Sequence, residues 1–245
     1  MHGDPSPLDE TPEAIAAKHR KSWLTLGGVV LALALLLAIY SFLTQPPPLP
    51  GTGETLSARQ IKDVMTPLVG RLEGAGITGQ SQFAGLAVTT GQGEMVTTCH
   101  SLPSSGPLQV IFQDGTSRAE SARVNRALDV CVLKVQTTGR TSAKLRTGDP
   151  ANGEKLYVVF IEDAKAAPRL VEARVVNLIS EPGGTALKID VSQKLATGAA
   201  VFDTQGRLAG IVTSPHSFGD FPVALSPSRI EQARAAAKKG GLSAQ

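Results

Sequence analysis

Apolar and polar positions divide the chain into three regimes. Residues 1–22 are polar and Pro-containing, a pattern that predicts a disordered tail. From Trp23 to Leu43 there is no charged residue, and Leu, Ala, Val, Ile and Gly dominate on every face of the run. About 20 residues at a rise of roughly 1.5 Å each match a hydrocarbon layer of about 30 Å, so a transmembrane helix is expected over residues 23–43. A buried core helix would keep one polar face. A cleaved signal peptide would carry a shorter apolar core, about 7–15 residues, ending at a small-x-small site. Here the run leads instead through Thr44 and Gln45 into Pro46-Pro47-Pro48, and residues 44–55 read as a stiff Pro/Gly-rich spacer.

Beyond the spacer, Ile61, Val64, Met65, Leu68 and Leu72 recur at helical spacing. Ser57 and Gln60 form a capping-box pattern ahead of them, so a linking helix is expected over residues 56–73, kinked or shortened at Pro67. The third regime, residues 82–239, consists of short β-branched runs: Leu86 to Thr90, Leu108 to Phe112, Val130 to Val135, Leu156 to Ile161 and Leu208 to Val212. Asp114-Gly115, Gly148-Asp149-Pro150 and Pro182-Gly183-Gly184 punctuate them as turns. Many short strands at this spacing predict a mainly β domain, an all-β sandwich or a pair of barrels. Ser226 as cap, Pro227 in the first turn and the helix formers from Ile230 to Lys239 predict a closing helix ended by Gly240.

Charge sets the orientation. Lys18, Arg20 and Lys21 precede the apolar run, and no Lys or Arg follows it before Arg59, which places the N-terminus in the cytoplasm and the β domain outside. The net charge of +3 is mild and dispersed, and argues against a nucleic-acid partner. Two cysteines exclude a disulfide-built scaffold while an extracytoplasmic site permits one bridge. His2, His19 and His216 are isolated, no cluster has metal-ligand spacing, and no cofactor is implied.

Three islands carry chemical meaning by their order. Met95-Val-Thr-Thr-Cys-His100 is a strand running into a histidine. Ala127-Leu-Asp-Val-Cys-Val-Leu-Lys-Val135 sets Asp129 at the head of an apolar strand. Thr197-Gly-Ala-Ala-Val-Phe-Asp203 leads into a hairpin with Gln205-Gly206 at its tip. Together with Phe221-Pro-Val-Ala-Leu-Ser-Pro-Ser-Arg-Ile230, these resemble the trypsin-like serine proteases, above all the bacterial periplasmic Deg/HtrA branch. The likeness runs from about Phe83 to Ala237, with nothing after it that resembles the peptide-binding second domain often attached there. It implies a double six-stranded β-barrel, with His100 as general base, Asp129 as the carboxylate that orients it, and Thr197 where the nucleophilic serine belongs.

The resemblance also exposes four departures. Threonine adds a methyl on Cβ that restricts χ1 at the nucleophile position. Leu195 replaces a glycine whose N–H helps form the oxyanion hole, and loss of one such donor costs about 10²–10³ in rate. Ala199 and Ala200 replace Gly and Pro. On Gly210-Ile-Val-Thr213-Ser-Pro215, which aligns with the strand that pairs with substrate, Pro215 has no N–H to donate. Asp190 to Lys194 would line the specificity pocket, one residue shorter than the family pattern, with Val191 and Ser192 suiting a small or apolar guest. Cys99 and Cys131 adjoin His100 and Asp129, so in this fold they would lie near enough to bridge; two small buried thiols are the favoured reading, the pairing being open without a Cα separation.

The expected function is therefore a membrane-anchored, catalytically impaired pseudoprotease at a bacterial inner membrane, binding a protein or peptide of the envelope. The alternatives are an active endopeptidase that uses Thr197 with His100 and Asp129, and a structural component of an envelope assembly. The oligomeric state is open.

Overall fold

The computed structural model describes residues 31–37, 39–40, 53–75, 80–103, 106–136, 139–162, 166–213 and 221–239. The chain forms two units, residues 1–47 and 48–245. In the first, residues 31–37 and 39–40 are helical, with Leu31, Leu33, Leu35, Leu36, Leu37, Ile39 and Tyr40 exposed. Among the described residues no helix is long and apolar enough to cross a membrane. The rest of the expected 23–43 span lies outside the described residues.

The second unit opens with helix α1 (Ala58–Met65). Its capping box forms as expected: Ser57 Oγ accepts from the Gln60 N–H, and Gln60 Oε1 accepts from the Ser57 N–H at 2.9 Å. The helix is shorter than its apolar spacing predicted. Pro67 sits in a 3-10 turn (Thr66–Leu68), and the chain then runs as strand β1 (Val69–Ala75). Leu68 and Leu72 are four residues apart, a spacing that suits one face of a helix and one face of a strand equally. The first barrel therefore begins at Val69, not at residue 82.

Strands β1, β2 (Ser81–Gly91), β3 (Glu94–Thr98), β4 (Leu108–Phe112), β5 (Gly115–Asn125) and β6 (Val130–Val135) close into one barrel in the order β1-β2-β3-β6-β5-β4. Strands β7 (Lys155–Phe160), β8 (Arg169–Glu181), β9 (Gly184–Asp190), β10 (Ala200–Asp203), β11 (Leu208–Val212) and β12 (Val223–Leu225) close into the second, in the order β10-β11-β12-β9-β8-β7. This is the expected pair of six-stranded barrels, every neighbouring pair antiparallel. Closure leaves neither sheet with an edge.

Alternation along the strands shows how the barrels meet. Ala87, Met95, Leu133 and Val135 fill the first barrel with Leu72, Val110 and Phe112. Their neighbours Leu86, Val88, Val96, Val130 and Val132 point the other way, into a larger core shared with the second barrel and α1. Leu86–Thr90 of β2, Met95–Thr98 of β3 and Val130–Leu133 of β6 are thus buried on both faces, which is why the β2 and β6 stretches read as runs rather than as alternation. Helix α2 (Pro227–Lys239) closes the chain, begun as expected by Ser226, whose Oγ accepts from the Arg229 N–H at 3.4 Å. It touches β6 of the first barrel and β9 and β11 of the second, and Arg234 Nε donates to Glu94 Oε1 at 2.6 Å.

Candidate functional site

Strand register brings the first two residues together. β3 and β6 pair antiparallel with Thr98 opposite Val130, so the residue after β3 and the residue before β6 leave the ladder side by side. His100 lies in the 3-10 turn that ends β3 (Cys99–Ser101), and Asp129 closes the turn ahead of β6. The Cys99 N–H donates to the Asp129 carbonyl at 3.2 Å, and the His100 N–H donates to Asp129 Oδ1 at 3.1 Å. His100 Nδ1 is 2.8 Å from Asp129 Oδ2. A proton on Nδ1 shared with the carboxylate leaves Nε2 with its lone pair, the tautomer a general base requires.

Asp129 is held further than the sequence pattern suggests. Thr213 Oγ1 donates to Asp129 Oδ2 at 2.7 Å, a bond across the two barrels. The pattern set Thr213 on the substrate side of the cleft, and nothing local to it announces a bond to a residue so distant in the chain. Burial works to raise the Asp129 carboxyl, but hydrogen bonds from His100 and Thr213, with the charge of His100, outweigh it and leave the group below its ordinary value. A depressed carboxylate adds stability above its unfolded pKa and loses it as pH falls through the folded value. The expected result is that Asp129→Asn flattens the acid limb of a stability-versus-pH curve measured by urea unfolding. An unchanged acid limb would show the pairing to be unimportant to folding.

Thr197 lies in the loop before β10, and its backbone is pinned between the barrels. Its carbonyl accepts from the Leu86 N–H on β2 at 2.9 Å. The next N–H, from Gly198, donates to the Val212 carbonyl on β11 at 2.7 Å. Gly85 fills the space between this loop and the histidine turn: a Cβ there would lie 2.9 Å from Thr197 O and 3.3 Å from Ser101 Cβ. Gly85 thus faces both the Thr197 carbonyl and the residue that follows His100.

Leu195 does not take up a left-handed turn; among the described residues Asp129, at φ 51°, is the one non-glycine that does. The Leu195 side chain packs with Val191 and Ala196 against the shared core. It also lines a cleft of about 300 Å³ together with Val191, Ser192, Gln193, Lys194, Val212 and Pro222. Val191 and Ser192 therefore border a cavity beside the Thr197 loop. Pro215 lies outside the described residues.

The two cysteines correct the sequence reading. Cys99 and Cys131 form a disulfide, with Cα atoms 4.9 Å apart, where two free buried thiols were favoured. The β3–β6 register sets Thr97 opposite Cys131, and the chain leaves the ladder at Cys99, in the 3-10 turn, within bridging distance of it. Among the described residues no group of His, Cys, Asp and Glu could hold a metal ion.

A family model described as a trypsin-like peptidase domain matches residues 85–211. No curated protein matches the chain in sequence. Among solved structures it is similar to the Rv3671c protease from M. tuberculosis in its active form, at 14% identity and a TM-score of 0.65, covering 82% of this chain and 94% of that one. It is similar to a serine endoprotease from Yersinia pestis, at 18% identity and a TM-score of 0.64, covering 77% and 69%. It is also similar to the HtrA-type protease AlgW with a decapeptide, at 15% identity and a TM-score of 0.65, covering 76% and 69%. At these identities the likeness is one of fold.

Proposed function

The chain belongs to the trypsin-like peptidase domain family, and from that premise we propose that it is a membrane-anchored pseudoprotease, which binds a protein or peptide of the bacterial envelope in its cleft without efficient cleavage. One observation supports the reading: a His100–Asp129–Thr213 hydrogen-bond network is kept in a chain that has Thr197 where the family pattern has serine, and Leu195, without a left-handed φ, where it has glycine. Acyl transfer needs the hydroxyl on line with the carbonyl carbon and N–H donors aimed at the developing oxyanion. The methyl of Thr197 crowds the first requirement. A leucine in place of glycine removes the backbone freedom behind the second. What remains is an apolar-walled cleft with a few polar groups, a form suited to holding an extended peptide.

The uncharged run from Trp23 to Leu43, behind Lys18, Arg20 and Lys21, supports the anchor and its orientation. A second reading, an active endopeptidase with Thr197 as nucleophile, is favoured by the bonding of His100 Nδ1, which leaves Nε2 to act as base. One experiment separates the two. The purified full chain is incubated with an unfolded protein and, in parallel, with a fluorophosphonate probe. The expected result is peptide binding, no turnover above a Thr197→Ala control, and no adduct at Thr197. Cleavage that disappears in Thr197→Ala would overturn the pseudoprotease and establish the second reading.

A further inference from the structure

Arg229 lies in the first turn of α2 and is only 5% exposed. A guanidinium is unfavourable to bury unless its donors find partners, and an apolar side chain would pack a helix with no such requirement. Its partners here are specific. One terminal nitrogen donates to Glu181 Oε2 at 2.8 Å, at the end of β8, and Nε donates to the backbone carbonyl of Leu128 at 2.8 Å. Leu128 is the residue immediately before Asp129.

The carbonyl of Leu128 and the N–H of Asp129 belong to one planar peptide unit. Arg229 holds the carbonyl edge of that plane, and the Asp129 N–H at the other edge donates to the Arg126 carbonyl at 3.3 Å. The φ of Asp129 is the rotation away from this plane, and at 51° it is left-handed. Asp is among the few residues with a Cβ that visit this region, and contacts on either side of the peptide plane hold it there. The β8–β9 turn backs the same segment: Gly183 has a φ of 99°, and a Cβ there would lie 2.9 Å from Ala127 O and 3.2 Å from Leu128 Cδ2.

We propose that Arg229 is a positioning residue for the His100–Asp129 pair: from the closing helix it fixes the Leu128–Asp129 peptide plane and so aims the Asp129 carboxylate at His100. Glu181 balances the charge and orients the guanidinium. This rests on the reading of the pair as the centre of the functional site.

Amide hydrogen exchange on the full chain tests it. The N–H groups of Cys99 and His100 donate to Asp129 O and Oδ1 and report on its turn, whereas the Val212 N–H, bonded to Ala199 O at 2.8 Å, reports on the second barrel. In Arg229→Met, exchange at Cys99 and His100 is expected to accelerate about tenfold or more relative to Val212, since a local opening speeds only the amides it frees. The low-field Nδ1 proton resonance of His100 should weaken in step. Arg229→Lys, which keeps a cation beside Glu181 without the planar Nε donor, should show the same selective acceleration to a smaller degree. Glu181→Gln should leave the ratio close to that of the unmodified chain.

An unchanged ratio in folded Arg229→Met, or equal acceleration at all three amides, would overturn the proposal. A Glu181→Gln effect as large as that of Arg229→Met would also overturn it, by making the ion pair the operative contact. If Arg229→Met does not fold, the ratio in Arg229→Lys decides: selective acceleration supports the proposal and an unchanged ratio overturns it. No readout here uses a substrate or bound peptide, so its failure is distinct from failure of the binding reading.

Discussion

Gly198→Ala is expected to destabilise the double-barrel unit by about 3–8 kcal/mol. Gly198 sits at a φ of 82°, and an alanine Cβ there would lie 2.0 Å from the Leu86 carbonyl oxygen and 2.8 Å from its carbon. The colliding atoms are backbone on a strand buried on both faces, so no side-chain rotation relieves the contact. The loop would have to leave β2, breaking the bonds from Leu86 N–H to Thr197 O and from Gly198 N–H to Val212 O. Two lost buried hydrogen bonds at about 1–3 kcal/mol each, added to the penalty of roughly 1–2 kcal/mol for a left-handed alanine, give a loss of about 3–8 kcal/mol. Against a usual domain stability of about 5–15 kcal/mol, that is a large share. Urea unfolding would reveal it, and a loss below about 1 kcal/mol would mean that the loop does not rest on β2 as described.

The second large effect concerns the bridge. Replacing Cys99 and Cys131 together by serine is expected to lower stability by about 2–5 kcal/mol. The cross-link joins residues 32 apart in sequence and so removes loop-closure freedom from the unfolded chain. Its loss would also leave two hydroxyls at sites that are almost fully buried. Unfolding with and without reductant checks this: reductant should reproduce the cross-link part of the effect in the unmodified chain, where no hydroxyl is buried at these two sites, and do nothing further to the double variant. A double variant as stable as the parent would show that the bridge does not contribute to folding.

Much of this architecture was legible in the strand pattern. β2, β4, β6, β7 and β11 fall close to the apolar runs that predicted them, because each is buried on at least one face and flanked by turn residues. β5 and β8 were not picked out. Gly115–Asn125 and Arg169–Glu181 carry many polar residues, and the exposed positions along β8 dilute its alternation. β1 was hidden inside a helical spacing. At the site, the juxtaposition of His100 and Asp129 was expected only through the resemblance of the islands to the protease family, and the antiparallel register of β3 and β6 is what produces it. The contacts of Thr213 and Arg229 with the Asp129 segment were not, because they join stretches 84 and 101 residues apart that share no local motif. Long-range partners are a property of the closed fold.

The route by which the chain enters the double barrel has a mechanical consequence. Before α1 begins, the Leu56 N–H is bonded to the Thr204 carbonyl at 2.7 Å, and Gln205 Nε2 to the Gly53 carbonyl at 3.0 Å. Residues 53–56 are thereby stitched to the tip of the β10–β11 hairpin, far along the sequence from β1. A pull arriving from upstream of Gly53 would load that hairpin directly, before it reaches α1 or the 3-10 turn through which the chain enters the first barrel.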